Sequence, residues 1–75
     1  MKNQTNLKIK EILKLALQNQ KEKNFKEAIK NYENVIKIDP SIVFAYHNLG
    51  LVYTEIENID QAKKSFLQAI KINPL

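Results

Sequence analysis

His47 is the only imidazole in the chain, and no cysteine accompanies it. Without cysteine, thiolate nucleophiles, disulfide staples and thiolate metal sites are out of reach. No carboxylate stands at a metal-ligand spacing from His47, so a groove histidine is expected rather than a ligand or a general base. Gly50 is the only glycine, which leaves no loop able to cradle a phosphate. Tyr46 and Tyr53 lie seven residues apart, on one face of a helix, and read as aromatic core packing. The chemistry on offer is therefore recognition, and no enzymatic activity, cofactor or metal is expected.

The net charge of +4 and pI of about 9.4 raise the question of nucleic acid. All of the basic residues are lysine and none is arginine, the residue whose planar fork reads bases and phosphates. The excess lies in residues 1–37, with nine Lys against four Glu, and includes Lys8, Lys10, Lys14, Lys21 and Lys26. No aromatic residue alternates with these five lysines to stack on bases, so a solvated helix surface is expected and nucleic acid is not an expected partner. No run of 18 apolar residues occurs, and Met1 to Lys10 lacks the apolar stretch of a signal peptide. The expectation is a soluble, cytoplasmic protein with no membrane partner.

The elements that would position these groups follow from periodicity. Ile9, Ile12, Leu13, Leu15, Ala16 and Leu17 recur at three- and four-residue spacing and predict an amphipathic helix from Ile9 to Gln20. A second helix is predicted from Phe25, through Ala28, Ile29, Tyr32, Val35 and Ile36, ending at Asp39-Pro40 because proline cannot continue it. Asn24 with Glu27 has the form of a capping box, and Ser41 is placed to cap the helix that follows. The third helix is predicted over about Ile42 to Ile56 and the fourth over about Ile59 to Ile72, the latter opened by Asn58 with Gln61.

Ile36-Lys37-Ile38-Asp39-Pro40 returns as Ile70-Lys71-Ile72-Asn73-Pro74, a repeat of 34 residues. A fixed period of this size marks stacked supersecondary units, none of which buries its apolar face alone. Small residues recur in register, Ala16 with Gly50 and Ala28 with Ala62, as do the bulky ones beside them, Leu15 with Leu49 and Tyr32 with Phe66. Such alternation is what closely packed helix pairs need.

Tyr46, Leu49, Gly50, Tyr53, Ala62, Phe66, Ala69 and Pro74 together resemble a tetratricopeptide repeat (TPR). The first copy is looser: Ile12, Leu15, Ala16, Ala28, Tyr32 and Pro40 fit, whereas Asn19 replaces an aromatic residue, Val35 a small one, and Lys23 and Glu57 stand where the turn often has glycine. The resemblance implies an all-α fold: two tandem helix-turn-helix hairpins, four antiparallel helices stacked as a short right-handed α-solenoid. Residues 1–8 would form a polar leader, 9–42 the first repeat and 43–75 the second.

The same resemblance implies an adaptor or scaffold module that binds a peptide or helix of a protein partner in a concave groove. That groove would be lined by Lys10, Leu13, Lys14, Leu17 and Lys21 from the first helix and by Phe44, His47, Asn48, Leu51 and Glu55 from the third. Some family members clamp a chaperone's C-terminal carboxylate with polar groups. Only Asn48 matches that set, and Leu13 and Leu17 occupy places where the clamp needs polarity.

Repeat arrays usually expose an apolar flank for the next unit. Here Phe66, Leu67, Ile70 and Ile72 form more apolar surface than one preceding hairpin covers, so self-association into a homodimer is the alternative function. The chain is expected to be an N-terminal segment of a longer protein.

Overall fold

The computed structural model describes the backbone of residues 2–74 and the side chains of residues 4–74; Met1 and Leu75, the outer limits of the two expected end segments, lie outside the described residues. Four helices follow one another: α1 (Lys2–Lys21), α2 (Phe25–Ile38), α3 (Val43–Glu55) and α4 (Ile59–Ile72). α1 packs on α2 and α3 on α4, giving two hairpins joined through α2 and α3. The Cα extents of 38 × 30 × 18 Å match a stack of two helix layers in its thinnest direction.

α1 begins at Lys2, not at Ile9 as periodicity predicts. Residues 4–8 are exposed, so no apolar stripe marks them; Lys, Gln and Leu are good helix formers and extend the packed segment by propensity.

Both hairpin turns end their first helix in the same way. Lys23 and Glu57 each have φ of 62°, the left-handed conformation. Around Lys23, the Asn24 amide donates to the Asn19 carbonyl (2.8 Å) and the Lys23 amide to that of Gln20 (3.1 Å); Asn58 to Tyr53 (2.8 Å) and Glu57 to Thr54 (3.0 Å) repeat the pattern. These are Schellman closures, which satisfy the last helix carbonyls and normally use glycine at the left-handed position. Each non-glycine residue there costs about 1 kcal/mol.

The expected caps divide. Asn58 Oδ1 accepts from the Gln61 amide at 3.3 Å. Asn24 makes no capping bond; its amide leans 3.5 Å toward Glu22 Oε1 instead. Ser41 does not cap either, because Ile42 occupies the N-cap position of α3 and the Ser41 hydroxyl and amide both donate to Asp39 Oδ1, at 2.6 and 3.0 Å. In both failures a nearer carboxylate wins the competition for the side chain.

The core is one cluster of Ile9, Ala16, Ala28, Tyr32, Val35, Ala45, Leu49 and Val52. Ala16, Ala28 and Ala45 are completely buried and let the helix backbones approach closely. The largest wholly buried side chains, Tyr32, Val35 and Val52, all lie on α2 and α3. Full burial of such side chains stabilises the fold by about 1.5–3 kcal/mol each. The departure at Asn19 is accommodated by a side-chain bond across the first hairpin, Asn19 Nδ2 donating to Asn31 Oδ1 at 2.8 Å. Leu15 differs from its equivalent Leu49: it is 53% exposed against 5%, since α1 carries no described helix on that face.

Gly50 meets the fourth helix at close range. A Cβ built there would lie 2.5–2.7 Å from three carbons of the Phe66 ring. The Gly50 carbonyl also accepts from Thr54 Oγ1 at 2.8 Å.

Candidate functional site

α1 and α3, the first helices of the two hairpins, supply the walls of the expected groove. At its C-terminal end the structure brings together Leu17, Gln20 and Lys21 of α1, Lys23 of the turn, Phe25 of α2 and Glu55 of α3 around a cavity of about 370 Å³. Its floor is apolar, and Lys21 and Glu55 carry opposite charges at its edge. Three of the ten expected groove residues, Leu17, Lys21 and Glu55, therefore share one concavity.

The others take different positions. Lys10 and Lys14 are exposed along α1, and Phe44 and Leu51 are 44% and 40% exposed on α3. Leu13 is half-buried and packs against the core. His47 is exposed, and its ring stands edge-on to Phe66 of α4, centroids 5.7 Å apart at 62°. Asn48 is only 6% exposed, and its Nδ2 donates to the Phe44 carbonyl at 2.9 Å, so its amide is engaged by its own helix. Of the outer α4 residues, Leu67 and Ile70 are exposed while Phe66 and Ile72 are half-buried.

A larger concavity, about 540 Å³, lies between α2 and α4 over α3 and has no counterpart in the sequence reading. Ile36, Tyr46, Leu49 and Tyr53 form its apolar base, and Glu33, Lys37, Gln61 and Lys64 are among its polar walls. Tyr46 and Tyr53 are thus half-buried groove residues rather than interior packing. Burial, and then the nearby Glu33 carboxylate, hold the Tyr53 phenol above its ordinary pKa. The lining comes from three helices at unrelated spacings, so only the half-polar surroundings of the Tyr46 and Tyr53 pair could have signalled it.

Every buried side-chain nitrogen and oxygen among the described residues has a hydrogen-bond partner. Among the same residues no group of three His, Asp or Glu could hold a metal, and no helix is long and apolar enough to cross a membrane.

Two stacked helical hairpins with grooves between neighbouring helices define an α-helical repeat protein. Residues 21–56 match the family described as TPR repeat, and residues 45–74 the one described as tetratricopeptide repeat. The chain belongs to the tetratricopeptide repeat family. It is 39% identical over 51 residues, 68% of its length, to the Hsp70-Hsp90 organising protein of Plasmodium falciparum (isolate 3D7), and covers 9% of that protein. It is 33% identical over 70 residues, 93% of its length, to tetratricopeptide repeat protein 37 of Xenopus laevis, and covers 4% of it. The chain thus spans less than a tenth of these curated relatives, and what it shares with them is a protein–protein interaction module.

Proposed function

We propose that the chain is an adaptor or scaffold module, acting in the cytoplasm, that holds a peptide or short helix of another protein in the groove between α1 and α3. The observation that carries this reading is the concavity in which Leu17 and Phe25 supply an apolar floor between Lys21 and Glu55. An apolar side chain would seat there, with flanking charges directed to Lys21 and Glu55 and acidic groups further along taken by Lys10 and Lys14. The Plasmodium relative carries two chaperones in its name, which supports a protein as the partner. Leu13 and Leu17 favour an apolar anchor over a C-terminal carboxylate, and the engaged amide of Asn48 does too.

The test is capture on an array of immobilised peptides by the chain and by its Leu17→Glu variant. Leu17 is 36% exposed, so the variant is expected to keep its thermal midpoint and to lose capture of peptides with an apolar anchor. Capture unchanged by Leu17→Glu would overturn the groove reading.

A further inference from the structure

We infer that two copies of this chain associate through the outer face of α4, antiparallel and around a closed two-fold axis, an interaction separate from the α1–α3 groove. The 34-residue repeat makes the argument quantitative. In the first hairpin the outer face of α2 is Phe25, Ile29, Tyr32 and Ile36; Tyr32 is completely buried and the other three are half-buried in the shared core with α3. The equivalent residues of α4 are Ile59, Lys63, Phe66 and Ile70. Ile59 and Ile70 are 55% and 56% exposed, and Leu67 beside them is 63% exposed. The surface that α3 covers in one hairpin is uncovered in the other.

The opposite face of the stack narrows what can cover it. α3 meets α2 with Ile42, Ala45, Leu49 and Val52, all within or packed against the core. The same positions on α1 are Lys8, Glu11, Leu15 and Gln18, all exposed and only one of them apolar. Laying α1 of a second copy on α4 would desolvate Lys8 and Glu11 against isoleucines and phenylalanine, which is unfavourable. Head-to-tail stacking, the arrangement that grows into open filaments, is thereby disfavoured. A second copy that buries apolar against apolar must present its own α4.

Charge sets the direction. α4 has Asp60 in its first turn and Lys71 in its last. Antiparallel helices bring each Asp60 toward Lys71 of the second copy and oppose the helix dipoles, whereas parallel helices place like charges together. In the register that sets Ile59 against Ile70 of the second copy, Lys63 falls beside Phe66 of the second copy. There its stem lies along the apolar strip and its ammonium over an aromatic face. Few apolar side chains per copy take part, against the roughly 800 Å² per partner of a standard interface, so the dimer is expected to be weak and concentration-dependent.

Light scattering on a size-exclusion column over about a hundredfold concentration range tests this. The expected result is a monomer that passes to a dimer and no further. Ile70→Glu should weaken the dimer by about tenfold or more, because it buries a charge without a partner, while Leu15→Glu on the outer face of α1 leaves it unchanged. Asp60→Lys should also weaken it, and Asp60→Lys with Lys71→Asp should restore it. A monomer at every concentration, growth beyond two copies, or indifference to Ile70→Glu would overturn the proposal, and failure of the charge exchange to restore association would overturn the antiparallel direction. Circular dichroism checks that each variant keeps its helices; should Ile70→Glu lose them, Leu67→Glu and the charge-exchange series decide the matter.

Discussion

The Phe66 ring occupies the space in which a side chain on Gly50 would begin, at 2.5–2.7 Å from an ideal Cβ. The second hairpin closes on this contact, and the same ring receives the edge of His47. Glycine within a helix ordinarily costs about 1 kcal/mol relative to alanine, so its presence in α3 has to be explained by packing.

Gly50→Ala should accordingly destabilise the fold although it improves helix propensity. Overpacking costs about 1–3 kcal/mol, which exceeds the propensity gain, and a net loss of about 1–2 kcal/mol is expected in urea unfolding. Adding Phe66→Leu should recover part of that loss, because the two sites share one space and are not additive. A neutral or stabilising Gly50→Ala would show that α4 moves aside freely.

Asn24 and Asn58 stand at equivalent positions but only Asn58 caps its helix, through the Gln61 amide. Asn58→Ala should therefore lower stability by about 0.5–1 kcal/mol, while Asn24→Ala should change it by no more than a few tenths. Equal losses in thermal unfolding would contradict the difference between the two turns.

Tyr32 is wholly buried, and that burial pushes its phenol up to about 12 from an ordinary 10.0. The folded state holds this proton more tightly than the unfolded one, so the contribution to stability is complete below pH about 10 and is lost as pH rises toward about 12. Two pKa units correspond to about 2–3 kcal/mol. Urea midpoints measured from neutral pH upward should fall across this window and fall less in Tyr32→Phe, which also lacks the 2.7 Å bond from the Tyr32 hydroxyl to Gln20 Oε1. Ultraviolet titration should show one phenol ionising only near the top of the range.

Most of the fold was legible because apolar spacing, Asp39-Pro40 and the 34-residue repeat agree with one another. Helices α2, α3 and α4 lie within a residue or so of their expected limits. The start of α1 was hidden because an exposed, polar turn of helix leaves no periodic trace. The caps at Asn24 and Ser41 were misread because each depends on which of two close oxygens or amides a short side chain meets, and Glu22 and Asp39 settled it. The site was legible in part: helix spacing puts Leu17 and Lys21 on one face, but spacing alone could not tell that Asn48 turns back to the Phe44 carbonyl. The concavity between α2 and α4 depends on three helices meeting, which no local pattern records.

The wholly buried Tyr32, Val35 and Val52 gather at the joint between the hairpins, while α1 and α4 each have one face in solvent. Cooperative strength is thus greatest in the middle of the stack, and opening proceeds from the outside inward. Amide protons of α2 and α3 exchange last, and those of α1 and α4 are released by partial openings that leave the centre intact. An outer helix held this loosely can adjust to what binds it without the centre having to yield.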